Sequence, residues 1–327
     1  MAGRHADIPL RVAALLTAAR LRHAASGLML AAALLVAGCA SSLTARPVED
    51  VHSEGAAHAG RVSPSADEPL AWTSIAGHKG LRYARDAGTP GQVLHWLKLD
   101  LRDPNLSLTL TPEADKGRTL PQFNGATDAL AALNASFFTA SFEPRGWTVS
   151  QGQPWSPVVS ATDSPALSCD RQQHCTMALD RPVAAPRRSW LSVGGTPWLV
   201  RDGRARQPTD DAGCGFCVAR HPRTAAGLDA EGRMLTFVLV EGRQADADGL
   251  SLADLAARLV AQGVHRALNL DGGGSTALLI QGRLVTGRPF NEPALRPLAN
   301  ALLIKSATDG GAAPAKSPAH TDPASHP

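Results

Sequence analysis

Between Arg266 and Ile280 the chain reads Arg-Ala-Leu-Asn-Leu-Asp-Gly-Gly-Gly-Ser-Thr-Ala-Leu-Leu-Ile. Apolar residues lead up to Asn269 and Asp271, three consecutive glycines follow, and a second apolar run begins at Ala277, a pattern that predicts strand, tight loop, strand. Gly272, Gly273 and Gly274 can adopt positive φ and expose backbone N–H groups, so the loop is expected to form a nest for an anion, with Asp271 projecting into the same space. A lone Asp-Gly pair would be an ordinary hairpin turn. Three glycines flanked by Asn269, Asp271, Ser275 and Thr276 exceed what a hairpin requires, and the loop reads as a functional site.

Other glycine-rich devices fail on local detail. The loop lacks the Lys of a phosphate-binding P-loop, and its glycine spacing is not that of a dinucleotide fingerprint opening a helix. Gly273-Gly-Ser275-Thr-Ala277 could imitate a nucleophile elbow, but that turn needs a helix after the Ser, and residues 276–281 read as a β-rich run.

The first 23 residues carry Arg4, Arg11, Arg20 and Arg22 against one acid, Asp7, and residues 27–37 are uninterrupted apolar or small positions. Residues 1–38 therefore read as an export signal, too short in its apolar part to span a bilayer. Val36-Ala-Gly-Cys39 resembles a bacterial lipobox, in which Cys39 becomes the lipidated first residue. Ala40 and Ser41 follow, without the Asp that resembles an inner-membrane retention signal. The expectation is an exported protein anchored through Cys39, in the outer membrane, facing the periplasm. Of the 32 basic and 29 acidic residues the leader holds four and one, leaving 28 of each. A neutral mature chain without basic runs interleaved with aromatics argues against nucleic acid as a partner.

Residues 39–70 are rich in Ala, Ser, Pro, Gly and His and read as a tether, and residues 307–327 as an unstructured tail. Residues 71–306 suffice for one domain of the α+β class, a mixed sheet with few helices. Strands are expected at 93–101, 106–111, 190–193, 235–240, 267–270, 277–281 and 301–305, the first two joined as a hairpin by Asp103-Pro-Asn105. Residues 126–133 are a short Ala/Leu helix candidate. A second helix is expected from Ser251 to 262, because Leu252, Leu255, Ala256, Leu259 and Val260 fall on one face, Ser251 and Asp254 form a capping box, and Gly263 ends it. Strand 235–240, this helix and strand 266–270 would make a βαβ unit, placing Glu241 and Asp271 beyond the carboxyl ends of two parallel strands.

Cys169, Cys175, Cys214 and Cys217 are an even set in an exported chain and predict two disulfides. Local pairing is favoured, though three connectivities exist. A four-thiolate zinc site and a redox-active Cys214-Gly-Phe-Cys217 are the alternatives. His221 and His265 have no second ligand at metal spacing and read as structural. No cofactor is called for, although carboxylates beside backbone carbonyls could take calcium.

Asn134-Ala-Ser-Phe-Phe138, Pro144-Arg-Gly146, Pro222-Arg-Thr-Ala-Ala-Gly227, Glu241-Gly-Arg243, Gly249-Leu-Ser-Leu252 and Asn269-Leu-Asp-Gly-Gly-Gly-Ser275 follow in an order and spacing that resemble the phosphodiester glycosidase family over residues 90–305. Ser136 stands where the family commonly has Gly, and Glu241 where Asp is usual. The resemblance implies cleavage between a sugar anomeric carbon and a phosphodiester oxygen, giving free sugar and a phosphomonoester. Glycoside cleavage passes through an oxocarbenium-like state and usually uses two carboxylates. A phosphate leaving group needs little protonation, so cations and N–H groups gain weight.

On that reading Arg223 and Arg296 hold the phosphate together with the Gly272, Gly273 and Gly274 amides. Asp271 is the nucleophile, base or oxocarbenium stabiliser, Glu241 the second carboxylate, and Asn134 binds a sugar hydroxyl, with Thr224, Asn269 and Ser275 also lining the substrate site. Specificity is expected in loops 142–157 and 161–175. The partner is a carbohydrate phosphodiester, and oligomeric state is not encoded in any readable pattern. The competing classes are a non-catalytic lipoprotein that binds a glycan or anionic envelope polymer, and an envelope-assembly factor acting through protein contacts.

Overall fold

The computed structural model describes residues 70–155, 165–179 and 189–307. The expected signal, Cys39 with its tether, the tail beyond 307 and part of the two specificity loops lie outside the described residues. Among those described, two α-helices accompany three antiparallel sheets, so the chain is mostly β, in rough accord with the α+β expectation.

The largest sheet has eight strands, with His78–Asp86, Leu94–Asp100, Met234–Val240, Arg223–Leu228 and Arg266–Leu270 side by side at its centre. Alternation sorts their side chains. Leu81, Leu97, Leu99, Phe237 and Leu239 face a core shared with the two five-stranded sheets. Ala84, Leu94, Trp96, Val238 and Val240 face the opposite way, onto helix Leu252–Ala261. That helix forms where its apolar face requires. The Ser251 hydroxyl accepts from Asp254 N–H at 3.1 Å, and Gly263 closes the end with φ +83°. Asp254 differs from expectation in accepting a hydrogen bond from the Ser251 hydroxyl, at 2.7 Å, rather than reaching the cap's backbone N–H.

Three expectations need correction. Strands 94–100 and 106–110 do not pair: the former lies between His78–Asp86 and Met234–Val240, and the latter pairs with Ala301–Ser306 in another sheet. The Asp103 turn exists, with Asn105 N–H on the Asp103 carboxylate at 2.9 Å, but it carries the chain from one sheet to the other. A strand buried on both faces needs neighbours on both edges, and two other strands occupy them. Residues 131–134 are strand rather than helix, because strands Leu278–Ile280 and Ala301–Ser306 pair with both edges of this strand and its alternating side chains fill two cores, Ala131 and Leu133 in one and Ala132 in the other. Tertiary packing overrides Ala/Leu helix propensity there. In the expected βαβ unit, strand Arg223–Leu228 lies between Met234–Val240 and Arg266–Leu270 and is antiparallel to both. The outer two are thus parallel in direction without being neighbours, and Glu241 and Asp271 still emerge at one edge of the sheet.

Candidate functional site

The register brings three strand ends together. Arg223 pairs with Val240, and Thr224 with Leu270, so Glu241, Pro222 and Asp271 leave the sheet at one level. The two outer backbones are separated by two strand spacings, roughly 10 Å.

Asp271 opens the glycine-rich loop. Its N–H donates to Ala135 O at 3.0 Å, and its carboxylate accepts from Gly272 N–H at 3.0 Å. Gly273 N–H donates to Pro222 O at 2.8 Å, and Ser275 N–H to Gly272 O at 3.1 Å. A Cβ at residue 272 would fall 2.7 Å from Pro222 O, and Gly273 has φ +58°, so close approach demands glycine at the first position and backbone conformation at the second. The expected anion clamp of three amides is corrected by this count. Gly272 and Gly273 spend their N–H groups inside the protein.

The neighbouring polar residues also turn inward. Asn134 donates through Nδ2 to Asp271 O, while its Oδ1 accepts from the Thr224 hydroxyl at 3.0 Å and Ala277 N–H at 3.2 Å. Asn269 Nδ2 donates to Thr196 O at 2.8 Å. Asn134, Thr224, Asn269 and Ser275 are all buried. They were expected to meet substrate; instead Asn134, held by Thr224, clips the loop to its supporting strands, Asn269 ties its strand to Thr196, and Ser275 turns toward the Asp271 carboxyl. Ser136 bonds Asn300 through both its N–H and its hydroxyl, so the side chain it carries in place of glycine is accommodated.

Arg223 also departs from expectation. It is fully buried, with Nε on Leu250 O at 3.0 Å and Nη2 on Phe216 O and Ala219 O at 2.8 Å each, its guanidinium 4.5 Å from the Phe216 ring centroid. Burial, with Arg243 nearby, lowers its pKa to about 10, against the opposing pull of Asp211. The turn it ties down is closed by the Cys214–Cys217 disulfide, and Cys169–Cys175 forms the second local bridge. All four expected thiols are consumed by these bonds. Among the described residues no group of three or more His, Cys, Asp or Glu is arranged around a metal position.

The cations that do face the loop are Arg243 and Arg296. A Cβ on Gly273 would stand 3.6 Å from Arg243 Nη1, and one on Gly274 would stand 2.5 Å from Arg296 Nη2 and overlap the Glu292 carboxylate that pairs with Arg296. Arg243 Nη2 lies 3.1 Å from His221 Nδ1. Burial first, then the charges of Arg223 and Arg243, depresses the His221 pKa, so the neutral ring accepts from Arg243 through Nδ1. Asp271 is only partly exposed, and burial pushes its carboxyl up to about 6 against the pull of Ser275, Arg296 and the Gly272 N–H.

Glu241 has a different surrounding. One carboxylate oxygen lies 2.6 Å from His95 Nε2, and the Tyr83 hydroxyl lies 2.8 Å from His95 Nδ1. Burial works against the Glu241 charge, but His95, the Gly287 N–H and Gln244 outweigh it and hold the pKa below its ordinary value. Sequence reasoning missed Tyr83, His95 and the role of Arg243. His95 left a signal: it shares one strand face with Leu97 and Leu99, a face that is otherwise apolar. Arg243 was in view within Glu241-Gly-Arg243, and Tyr83 is the chain's single tyrosine.

The phosphodiester glycosidase family model matches residues 127–305. The mouse N-acetylglucosamine-1-phosphodiester alpha-N-acetylglucosaminidase is 33% identical over 105 residues, 29% of this chain and 20% of that protein. The SPbeta prophage-derived uncharacterized protein YomE of Bacillus subtilis is 25% identical over 163 residues, 48% of this chain and 25% of that protein. This chain thus spans a quarter or less of the length of those curated relatives. The zebrafish N-acetylglucosamine-1-phosphodiester alpha-N-acetylglucosaminidase catalytic domain, auto-inhibited by its pro-peptide, has the same fold at a TM-score of 0.54 and 20% identity, over 75% of this chain and 86% of that one. A hypothetical protein from Synechocystis matches at a TM-score of 0.55 and 18% identity, over 73% and 64% of the two chains.

Proposed function

The chain belongs to the phosphodiester glycosidase family, and we propose that it hydrolyses a sugar-1-phosphodiester, releasing free sugar and a phosphomonoester. The observation that carries this reading is Asp271, a carboxyl with its pKa raised to about 6, set in a glycine loop that Arg243 and Arg296 flank. A carboxylate poised just below neutral pH can take a proton from attacking water, or steady positive charge at the anomeric carbon. The two arginines suit the phosphate, whose negative charge leaves with its oxygen and needs no strong acid. One reactive carboxylate then suffices, and Glu241 is engaged by His95. The leader supports a lipid-anchored placement through Cys39 at the outer membrane, with an envelope or periplasmic glycoconjugate as substrate.

The test incubates wild type and Asp271→Asn with a panel of sugar-1-phosphodiesters, quantifying reducing sugar and phosphomonoester separately. Equal release of both by wild type alone is expected. Undiminished binding of the same diesters without release by either protein would replace the enzyme with a glycan-binding lipoprotein.

A further inference from the structure

The segment that carries Arg296 to the glycine loop is irregular between Arg283–Leu284 and Ala301–Ser306, and something other than a sheet ladder must hold it. Val285 N–H donates to Leu278 O and Leu298 N–H to Arg118 O, each at 2.9 Å, near its two ends, and three further ties lie between. The Thr286 hydroxyl accepts from Leu278 N–H at 3.1 Å, Phe290 N–H donates to Arg243 O at 2.9 Å, and between them the Gly287 backbone meets Glu241. The approach at Gly287 is close: a Cβ there would fall 2.5 Å from the second Glu241 carboxylate oxygen and would overlap the Gln244 amide. The first Glu241 oxygen is taken by His95, which is fully buried, and His95 is backed by Tyr83 from the neighbouring strand. The arrangement that satisfies all three groups has the Tyr83 hydroxyl donating to Nδ1 and Nε2–H donating to the carboxylate. Glu241 is thus braced on the core side and grips the irregular segment on the other.

We propose that Tyr83, His95 and Glu241 are positioning residues that seat residues 285–296 against the glycine-rich loop and so hold Arg296 at the phosphate position. The assignment of phosphate to Arg296 rests on the function proposed above; the seating itself does not. A carboxylate can do this where an apolar side chain cannot, because it accepts from a ring N–H and a backbone N–H at once. Residues far from substrate then control the geometry of a cation beside it.

Hydrogen–deuterium exchange of the whole protein tests the seating without any substrate. Wild type would be compared with Tyr83→Phe, His95→Leu and Gly287→Ala. Exchange within 285–296 is expected to accelerate about tenfold in His95→Leu and Gly287→Ala, the scale of losing one buried hydrogen bond, and less in Tyr83→Phe, with helix Leu252–Ala261 unchanged. Gly287→Ala attacks the contact from the surface side, so the result survives if His95→Leu fails to fold. Unaltered exchange of 285–296 in Gly287→Ala would overturn the proposal. In steady-state assays these variants should lower kcat/KM for the diester about tenfold through both kcat and KM, since one charge-assisted contact to a phosphate whose negative charge grows as it leaves is loosened. A Glu241→Gln protein with normal exchange but no turnover at saturating substrate would make Glu241 a reacting group instead. Absence of turnover in every form, wild type included, would remove the proposed function while leaving the exchange result to stand on its own.

Discussion

Arg243 donates to Nδ1 of His221 across 3.1 Å, and this places a guanidinium against the glycine loop by means of a histidine kept neutral. The cause is local: burial and two nearby arginines make an imidazolium unfavourable there. The folded-state pKa lies below the unfolded value, so His221 contributes stability that is present above its ordinary value of 6.5 and is lost as pH falls through the folded pKa. Thermal unfolding of wild type and His221→Gln against pH checks this. The wild type should lose more stability on acidification than the variant does.

Turnover should have an acid limb near pH 6. Asp271 must be ionised to act as base, and its pKa sits at about 6. A plot of log kcat/KM against pH should rise with unit slope below that point and flatten above it. A limb near 4, the value of an ordinary carboxyl, would remove Asp271 from that role.

Asp271→Asn should lower kcat by ~10²-fold to 10⁴-fold and yet stabilise the fold. The shift from 3.8 to about 6 means that the folded state prefers the protonated carboxyl. Stability from this group is complete below 3.8 and is lost as pH rises through about 6. Removing the charge should recover at most about 3 kcal/mol at pH 7 and nothing at pH 3, readable from denaturant midpoints.

Arg223 and Arg243 should behave oppositely despite sharing a residue type. Arg223→Leu leaves Leu250, Phe216 and Ala219 carbonyls without their donor, and should cost about 3 kcal/mol or more of folding stability. Arg243→Gln should change stability by less than about 1 kcal/mol and weaken inhibition by inorganic phosphate about tenfold or more. Denaturant titration and phosphate inhibition, run on both variants, separate the two.

Asn134→Ala should act on catalysis through the backbone. It strips the donor to Asp271 O and leaves the Thr224 hydroxyl and Ala277 N–H unpaired in the core, a cost of about 2–4 kcal/mol. Urea denaturation measures the loss, and kcat should fall more than KM rises as Asp271 drifts.

Much of this fold was legible where local pattern and burial agree. The 252–261 helix shows its apolar stripe and cap in sequence, and the glycine triplet announces a loop that side chains cannot enter. Strand 131–134 was not legible, because Ala and Leu satisfy a helix equally well and only flanking sheets choose between them. The pairing of strand 94–100 was hidden for a related reason. A nearby turn suggests a hairpin, while the partner that wins, Met234–Val240, is more than a hundred residues away.

By itself the sequence determined the family signature, the existence of the Asp271 loop and the local pairing preference of its cysteines. Composition and order suffice for these because each depends on residues close together in the chain. Only the tertiary structure decided which polar groups work outward and which inward. Arg223 and Arg243 are both arginines beside a glycine loop, yet one is consumed by carbonyls and the other faces the loop. Glu241 finds His95 across 146 positions, a meeting set by strand register alone. A polar side chain's role follows from the dielectric and partners around it, and those are supplied by segments that the chain brings together only on folding.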